Sequence, residues 1–156
     1  MRRDGLPRVR SFAANSTQLR RAREFVRERA VLDRVPDELA EELVLAVTEA
    51  FSNAVAHSES MLVFVSWWVG ERDVEVQVMD DGLFEEILPV QRDSGGIGMA
   101  LMMMMVDEFA IRRGTEESPG TLVRLRKRVG REVGPLELVV VPDSGEAEGA
   151  GGRKAS

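Results

Sequence analysis

The chain of 156 residues has no cysteine and no tyrosine, a single histidine, and only 5% aromatic residues. The missing cysteines exclude a disulfide framework and any thiolate metal site. One histidine, His57, cannot build a histidine-rich metal site. No stretch approaches the roughly 18 uninterrupted apolar residues of a membrane-spanning helix. Arg2 and Arg3 stand near the start, but no apolar core follows them as in a secretory leader. These absences point to a cytoplasmic protein with no membrane partner. What is present suits one globular domain: 44% hydrophobic residues can build a core, and 31% charged residues can cover it.

The net charge of −6 hides an asymmetry. Residues 1–30 hold nine arginines against Asp4, Glu24 and Glu28, whereas residues 33–60 hold Arg34 against seven acids. A basic arm can mark a nucleic-acid surface. The overall acidity and the lack of interleaved aromatics favour a solvated basic helix face suited to an acidic protein partner, without direct nucleic-acid contact.

Periodicity gives the elements. Val9 to Ala13 reads as a short strand, and Asn15, Ser16 or Thr17 can cap the helix after it. In that helix Leu19, Ala22, Phe25, Val26 and Ala30 form a narrow apolar stripe. Pro36-Asp37-Glu38 is a helix start, with proline near the first position and acids in the first turn. The second helix is expected from Pro36 to His57, with Leu39, Leu43, Val47, Ala50 and Ala54 buried. Met61 to Val69 reads as a strand, Glu71-Arg72-Asp73 as a tight turn, and Val74, Val76 and Val78 as the buried face of the next strand, with Glu75 and Gln77 outward. A loop over 83–96 leads to a helix from Ile97 to Val106, where Met102 to Met105 read as core filler. Phe109 to Arg113 and Thr121 to Lys127 complete the strands. The order β-α-α-β-β-loop-α-β-β predicts an α+β, two-layer sandwich: a mixed, mostly antiparallel sheet covered on one face by helices. The domain is expected over 8–128. Residues 129–142 form an extension with a possible edge strand at Leu136 to Val141, and the Gly-, Ala-, Glu- and Ser-rich 143–156 form a disordered tail.

Four short segments carry chemistry. Glu49, Asn53 and His57 recur at four-residue intervals and so share one face of the second helix. A carboxylate and an amide oxygen one turn apart suit Mg²⁺ and the orientation of a hydroxyl. Asp80, at a strand end with Gly82 two residues on, can accept a hydrogen bond from an exocyclic amine, although Asp-x-Gly alone also fits an acidic turn. Gly95-Gly96-Ile97-Gly98 opens a helix whose free amides favour a phosphate chain, or it is simply a flexible loop and helix start. It is neither a Walker loop nor a Rossmann fingerprint. Gly120-Thr121 opens the last strand with a hydroxyl that can reach a nucleotide base.

In this order and spacing the chain resembles the GHKL ATP-binding superfamily (the Bergerat fold), and within it the bacterial anti-sigma factor serine/threonine kinases. Glu49-Ala-Phe-Ser-Asn53-Ala-Val-Ala-His57 is similar to that family's N box. Asp80-Asp81-Gly82 is similar to the first glycine box. Gly95-Gly96-Ile97-Gly98-Met99 with Asp107 is similar to the second, and Gly120-Thr121 to the closing strand. The resemblance covers roughly 8–128. It implies that Asn53 coordinates Mg²⁺ on ATP and that Glu49 is the general base toward a serine hydroxyl. It implies further that Asp80 binds the adenine amino group with support from Thr121, that Gly82 makes room for the ring, and that Gly95, Gly96, Ile97, Gly98 and Met99 hold the phosphates under a lid over 84–95. His57 would pack near the site. The partners implied are a sigma factor and a small anti-sigma-factor antagonist that is phosphorylated, in a homodimer joined through the first strand and helix.

One segment departs from the family pattern. Leu83-Phe84-Glu85-Glu86 follows Gly82, where the family usually carries another small residue or proline and then an aromatic. Two acids beside a triphosphate favour the alternative of a non-catalytic ATP-binding regulatory module. A sensor histidine kinase is disfavoured, because the only histidine lies inside the N box and no phosphoacceptor helix pair is visible.

Overall fold

A computed structural model describes residues 5–57, 60–81, 95–115, 117 and 119–130. Gly82, most of the expected lid, the C-terminal extension beyond residue 130 and the tail lie outside these residues, as does the side chain of His57. The elements are β1 (Arg8–Ala13), a 3-10 turn (Ser16–Gln18), α1 (Leu19–Leu32), α2 (Asp37–His57), β2 (Leu62–Val69), β3 (Asp73–Asp80), α3 (Gly95–Met105), β4 (Glu108–Arg113) and β5 (Thr121–Arg128). The expected order holds. The strands form a five-stranded sheet in the order β1-β2-β3-β5-β4. Every pairing is antiparallel, so the mixed component of the expected sheet is not found among the described residues. β5 slots between β3 and β4, which makes β3 central.

Local chemistry sets the boundaries. Asn15 caps the 3-10 turn and not α1 itself: its side chain accepts from the Thr17 amide at 3.1 Å, whereas Gln18 stands at the α1 N-cap with no side-chain cap bond. Asp37 and Glu38 occupy the first turn of α2, where the dipole favours acids. The β2–β3 hairpin turns one residue earlier than expected. Asp73 already belongs to β3, and the Gly70 amide donates to its carbonyl at 2.8 Å.

The helices cover one face of the sheet, and the core lies between the layers. Val63, Val65 and Trp67 of β2, Val74, Val76 and Val78 of β3, and Leu125 of β5 point at the helices and are buried. They meet Ala22, Phe25, Val26 and Ala30 of α1 and a broad face of α2. That face includes Leu43, Val47, Ala50 and Ala54 of the expected stripe, with Leu39 half-buried. It also includes Ala40, Val44, Ala46 and Phe51, because α2 touches both flanking helices as well as the sheet. Phe12 stacks edge-on against Phe25 and Phe51, with ring centroids 6.4 and 6.0 Å apart. The buried Trp67 indole donates to Asp33 Oδ2 at 2.6 Å, which ties the end of α1 to β2.

Two expectations fail. Glu75 is 2% exposed although it lies on the face away from the helices. On the central strand its cross-strand neighbours are the long side chains of Trp68 and Arg126, and Gln77 Nε2 donates to its carboxylate. Beside it Arg126 bridges Asp73 and Glu108. These carboxylates raise the Arg126 pKa, through the hydrogen bond to Asp73 first. The methionines of α3 are not uniformly core: Met102 is buried, whereas Met103 and Met104 are exposed. α3 touches α2 and, more lightly, β4, which leaves one flank open.

Candidate functional site

The site is built at the junction of α2, α3 and the β3/β5 end of the sheet. Glu49 and Asn53 sit one turn apart on α2 and are both half-buried. The carboxylate of Glu49 points into the opening of α3. A β-carbon placed on Gly98 would stand 2.6 Å from Glu49 Oε2, so only glycine admits this approach. α3 begins at Gly95, two residues before its expected start, so Gly95, Gly96, Ile97 and Gly98 form its first turn. The amides of a first turn have no intrahelical acceptor, and they carry the positive end of the helix dipole. A carboxylate on one element thus faces an anion-attracting terminus on another. Met99, next in line, is half-buried and packs against the core.

The second half of the site is a pair of buried polar side chains across two strands. Asp80 ends β3, Thr121 begins β5, and the two are register partners, each 3% exposed. Ser60 Oγ donates to Asp80 Oδ1 at 3.1 Å, which orients the carboxylate. Gly120 lies against the backbone of Asp80: a β-carbon there would stand 2.5 Å from the Asp80 carbonyl oxygen, and its φ is +135°. Only glycine tolerates both constraints.

These residues fit a purine nucleotide. Thr121 Oγ1 is buried and has no hydrogen-bond partner among the described residues. An orphaned hydroxyl costs about 1–3 kcal/mol. A ligand atom beside Asp80 would satisfy it. The free amides of α3, Asn53 and Glu49 suit phosphate, Mg²⁺ and a hydroxyl respectively. Among the described residues no group of three or more acidic, histidine or cysteine side chains could hold a metal by itself. A divalent ion here would therefore depend on Asn53 together with phosphate oxygens, the usual manner for Mg²⁺.

The structure brings Glu49 to Gly98, and Asp80 to Thr121. Sequence reasoning missed Ser60, and it named Gly120 as part of the closing-strand motif without its contact to the Asp80 backbone. Ser60 carried no signal, since it lies twenty residues from Asp80 and reaches it only through β2–β3 pairing. Gly120 did carry one, a glycine directly before the strand that opens with Thr121.

Residues 12–127 match the histidine kinase-like ATPase domain, and the chain belongs to that family. This bears out the GHKL resemblance read from the motifs. Among solved structures, the chain is similar to the crystal structure of the RsbU and RsbW domains of Rv1364c from Mycobacterium tuberculosis. The TM-score is 0.62 and the identity 22%, with 83% of this chain and 33% of that one covered. The chain therefore spans about a third of that protein, and the likeness is one of fold. No curated protein sequence matches. Among the described residues no helix is long and apolar enough to cross a membrane.

Proposed function

We propose that the protein is an ATP-dependent serine/threonine kinase of the anti-sigma factor type. In this reading it holds a sigma factor and phosphorylates a small antagonist protein, as a homodimer in the cytoplasm. The observation that carries the reading is the approach of Glu49 to Gly98, which sets a candidate base against the helix terminus suited to phosphates. A protein that only binds nucleotide has no need of a carboxylate there.

Each residue then has a role. Asp80 accepts a hydrogen bond from the adenine amino group, with Thr121 donating or accepting beside it and Gly82 admitting the ring. The opening amides of α3, from Gly95 to Met99, hold the phosphates. Asn53 binds Mg²⁺. Bound ATP supplies the transferable phosphoryl group. Glu49 accepts the proton of the incoming serine hydroxyl. Phosphoryl transfer asks mainly for positioning and charge neutralisation, and these parts offer both. The second reading, a non-catalytic ATP-binding module, is favoured by Glu85 and Glu86 after the first glycine box.

A thermal-shift titration with Mg-ATP, run beside Asn53→Ala, tests the site. At ligand a hundredfold above its dissociation constant, binding adds about 2.7 kcal/mol, or roughly 5–11 °C for a domain of this size. A magnesium-dependent shift that Asn53→Ala abolishes supports the reading, and no shift in the wild type rejects it. Glu49→Ala then separates kinase from module. Loss of phosphotransfer with most ATP binding kept supports the kinase, while equal loss of both removes Glu49 as base.

A further inference from the structure

α3 is short and ends without help from its own sequence. It has no basic residue in its last turn, and Val106-Asp107 follows where a glycine cap would stand. Its last carbonyls need donors from elsewhere. One comes from β5. Lys127 Nζ donates to the Met105 carbonyl at 2.8 Å, which places a cation at the negative end of the α3 dipole. The same ammonium forms an ion pair with Glu42 of α2.

This lysine is buried to 9% exposure, on the helix-facing side of β5 between Leu125 and Val129, both buried. An apolar side chain would fill that position without removing a charge from water. What offsets the cost of burying the charge is shown by its bonds to the Met105 carbonyl and to Glu42. Glu42 and Glu49 lie seven residues apart on α2, and Gly98 and Met105 lie seven residues apart on α3. Seven residues advance a helix by about 10.5 Å and return it to nearly the same face. The helices run antiparallel, with Glu42 and Lys127 at Met105 forming one stitch and Glu49 at Gly98 the other. The two stitches are matched in spacing on both helices. A slip of α3 by one residue would carry its opening turn about 1.5 Å along the axis and rotate Gly98 off Glu49.

We propose that Lys127 is a positioning residue for the nucleotide site: from the far end of α3 it sets the register that brings the opening turn of this helix against Glu49. The proposal rests on the ATP-binding reading of the site and identifies a residue outside the four sequence motifs.

Three variants test it: Lys127→Met, Lys127→Arg and Glu42→Gln. Each is measured for amide hydrogen exchange without nucleotide, and for affinity toward adenosine and toward Mg-ATP. Adenosine probes the Asp80–Thr121 half of the site, which does not depend on α3. Mg-ATP adds the phosphates, which do. The expected result for Lys127→Met is faster exchange across α3 with α1 unchanged, adenosine affinity kept, and Mg-ATP affinity reduced about tenfold, the scale of one helix-terminus charge interaction. Lys127→Arg restores α3 protection, and Glu42→Gln has the smaller effect because the bond to the carbonyl survives. Unchanged exchange in α3 overturns the proposal whether or not nucleotide binds. Equal weakening of adenosine and Mg-ATP also overturns it, since that marks a general loss of structure. A wild-type protein that binds neither ligand rejects the ATP reading itself, and the exchange data then judge the anchor alone.

Discussion

Replacing Gly98 with alanine sets two effects of opposite sign against each other. In the helix interior alanine is favoured over glycine by about 0.5–1 kcal/mol. For a chain of this length that corresponds to a rise of roughly 2–4 °C in Tm at the upper end. The new methyl group, however, would stand 2.6 Å from Glu49 Oε2 and 3.5 Å from its carboxyl carbon. The obstructing atom is the end of a flexible side chain, so the clash is relieved by withdrawing the carboxylate by about 1 Å, at little cost to the fold. If Glu49 is the base, that displacement is expensive for chemistry, since misplacing a reacting group by about 1 Å can cost on the order of a hundredfold in rate. Gly98→Ala should therefore melt at or slightly above the wild-type temperature, keep its adenosine affinity, and turn over ATP at about one hundredth of the wild-type rate. Differential scanning fluorimetry and a steady-state assay of ADP release read both. Wild-type turnover with a raised Tm would refute the argument, because it would mean that the carboxylate facing Gly98 takes no part in the reaction.

Two further predictions concern stability. Gly120→Ala meets backbone, the Asp80 carbonyl oxygen, and holds a φ of +135° that side chains avoid. It should cost at least about 1–3 kcal/mol and lower the urea midpoint, and an unchanged midpoint would contradict the close packing of β5 on β3. Glu41 is held below its ordinary pKa of 4.5 chiefly by the hydrogen bond from Arg27. Because the folded pKa is the lower one, the pair's stabilisation is complete above pH 4.5 and fades as pH falls through the folded value. Both side chains are about half exposed, so Glu41→Gln should cost no more than about 0.5 kcal/mol near neutral pH. Thermal melts should show that gap closing in acid; a gap that widens there would reverse the assigned sign.

Most of the architecture was legible because it follows from short-range periodicity. The stripe of α2 and the alternation of Val74, Val76 and Val78 are properties of adjacent residues, and the elements formed where those patterns lie. The candidate site was legible for a related reason. Glycines that open a helix, an acid at a strand end, and a carboxylate and amide one turn apart are chemical groups tied to local backbone positions. Glu75 and Met103 were misjudged because burial depends on neighbours that arrive from elsewhere. Glu75 is flanked by strands paired with β3 on both sides, and Met103 lies on a helix with an open flank.

The amino-acid sequence alone thus determined the elements, their order and the identity of the polar groups, since each depends on residues within a turn or two of one another. Tertiary structure alone decided which groups meet. β5 entered between β3 and β4, bringing Thr121 and Gly120 against Asp80 and Lys127 beneath the end of α3. The antiparallel register of α3 on α2 then brought Glu49 to Gly98. Those contacts join residues about twenty to fifty positions apart, and no local pattern encodes a distance that only packing can close.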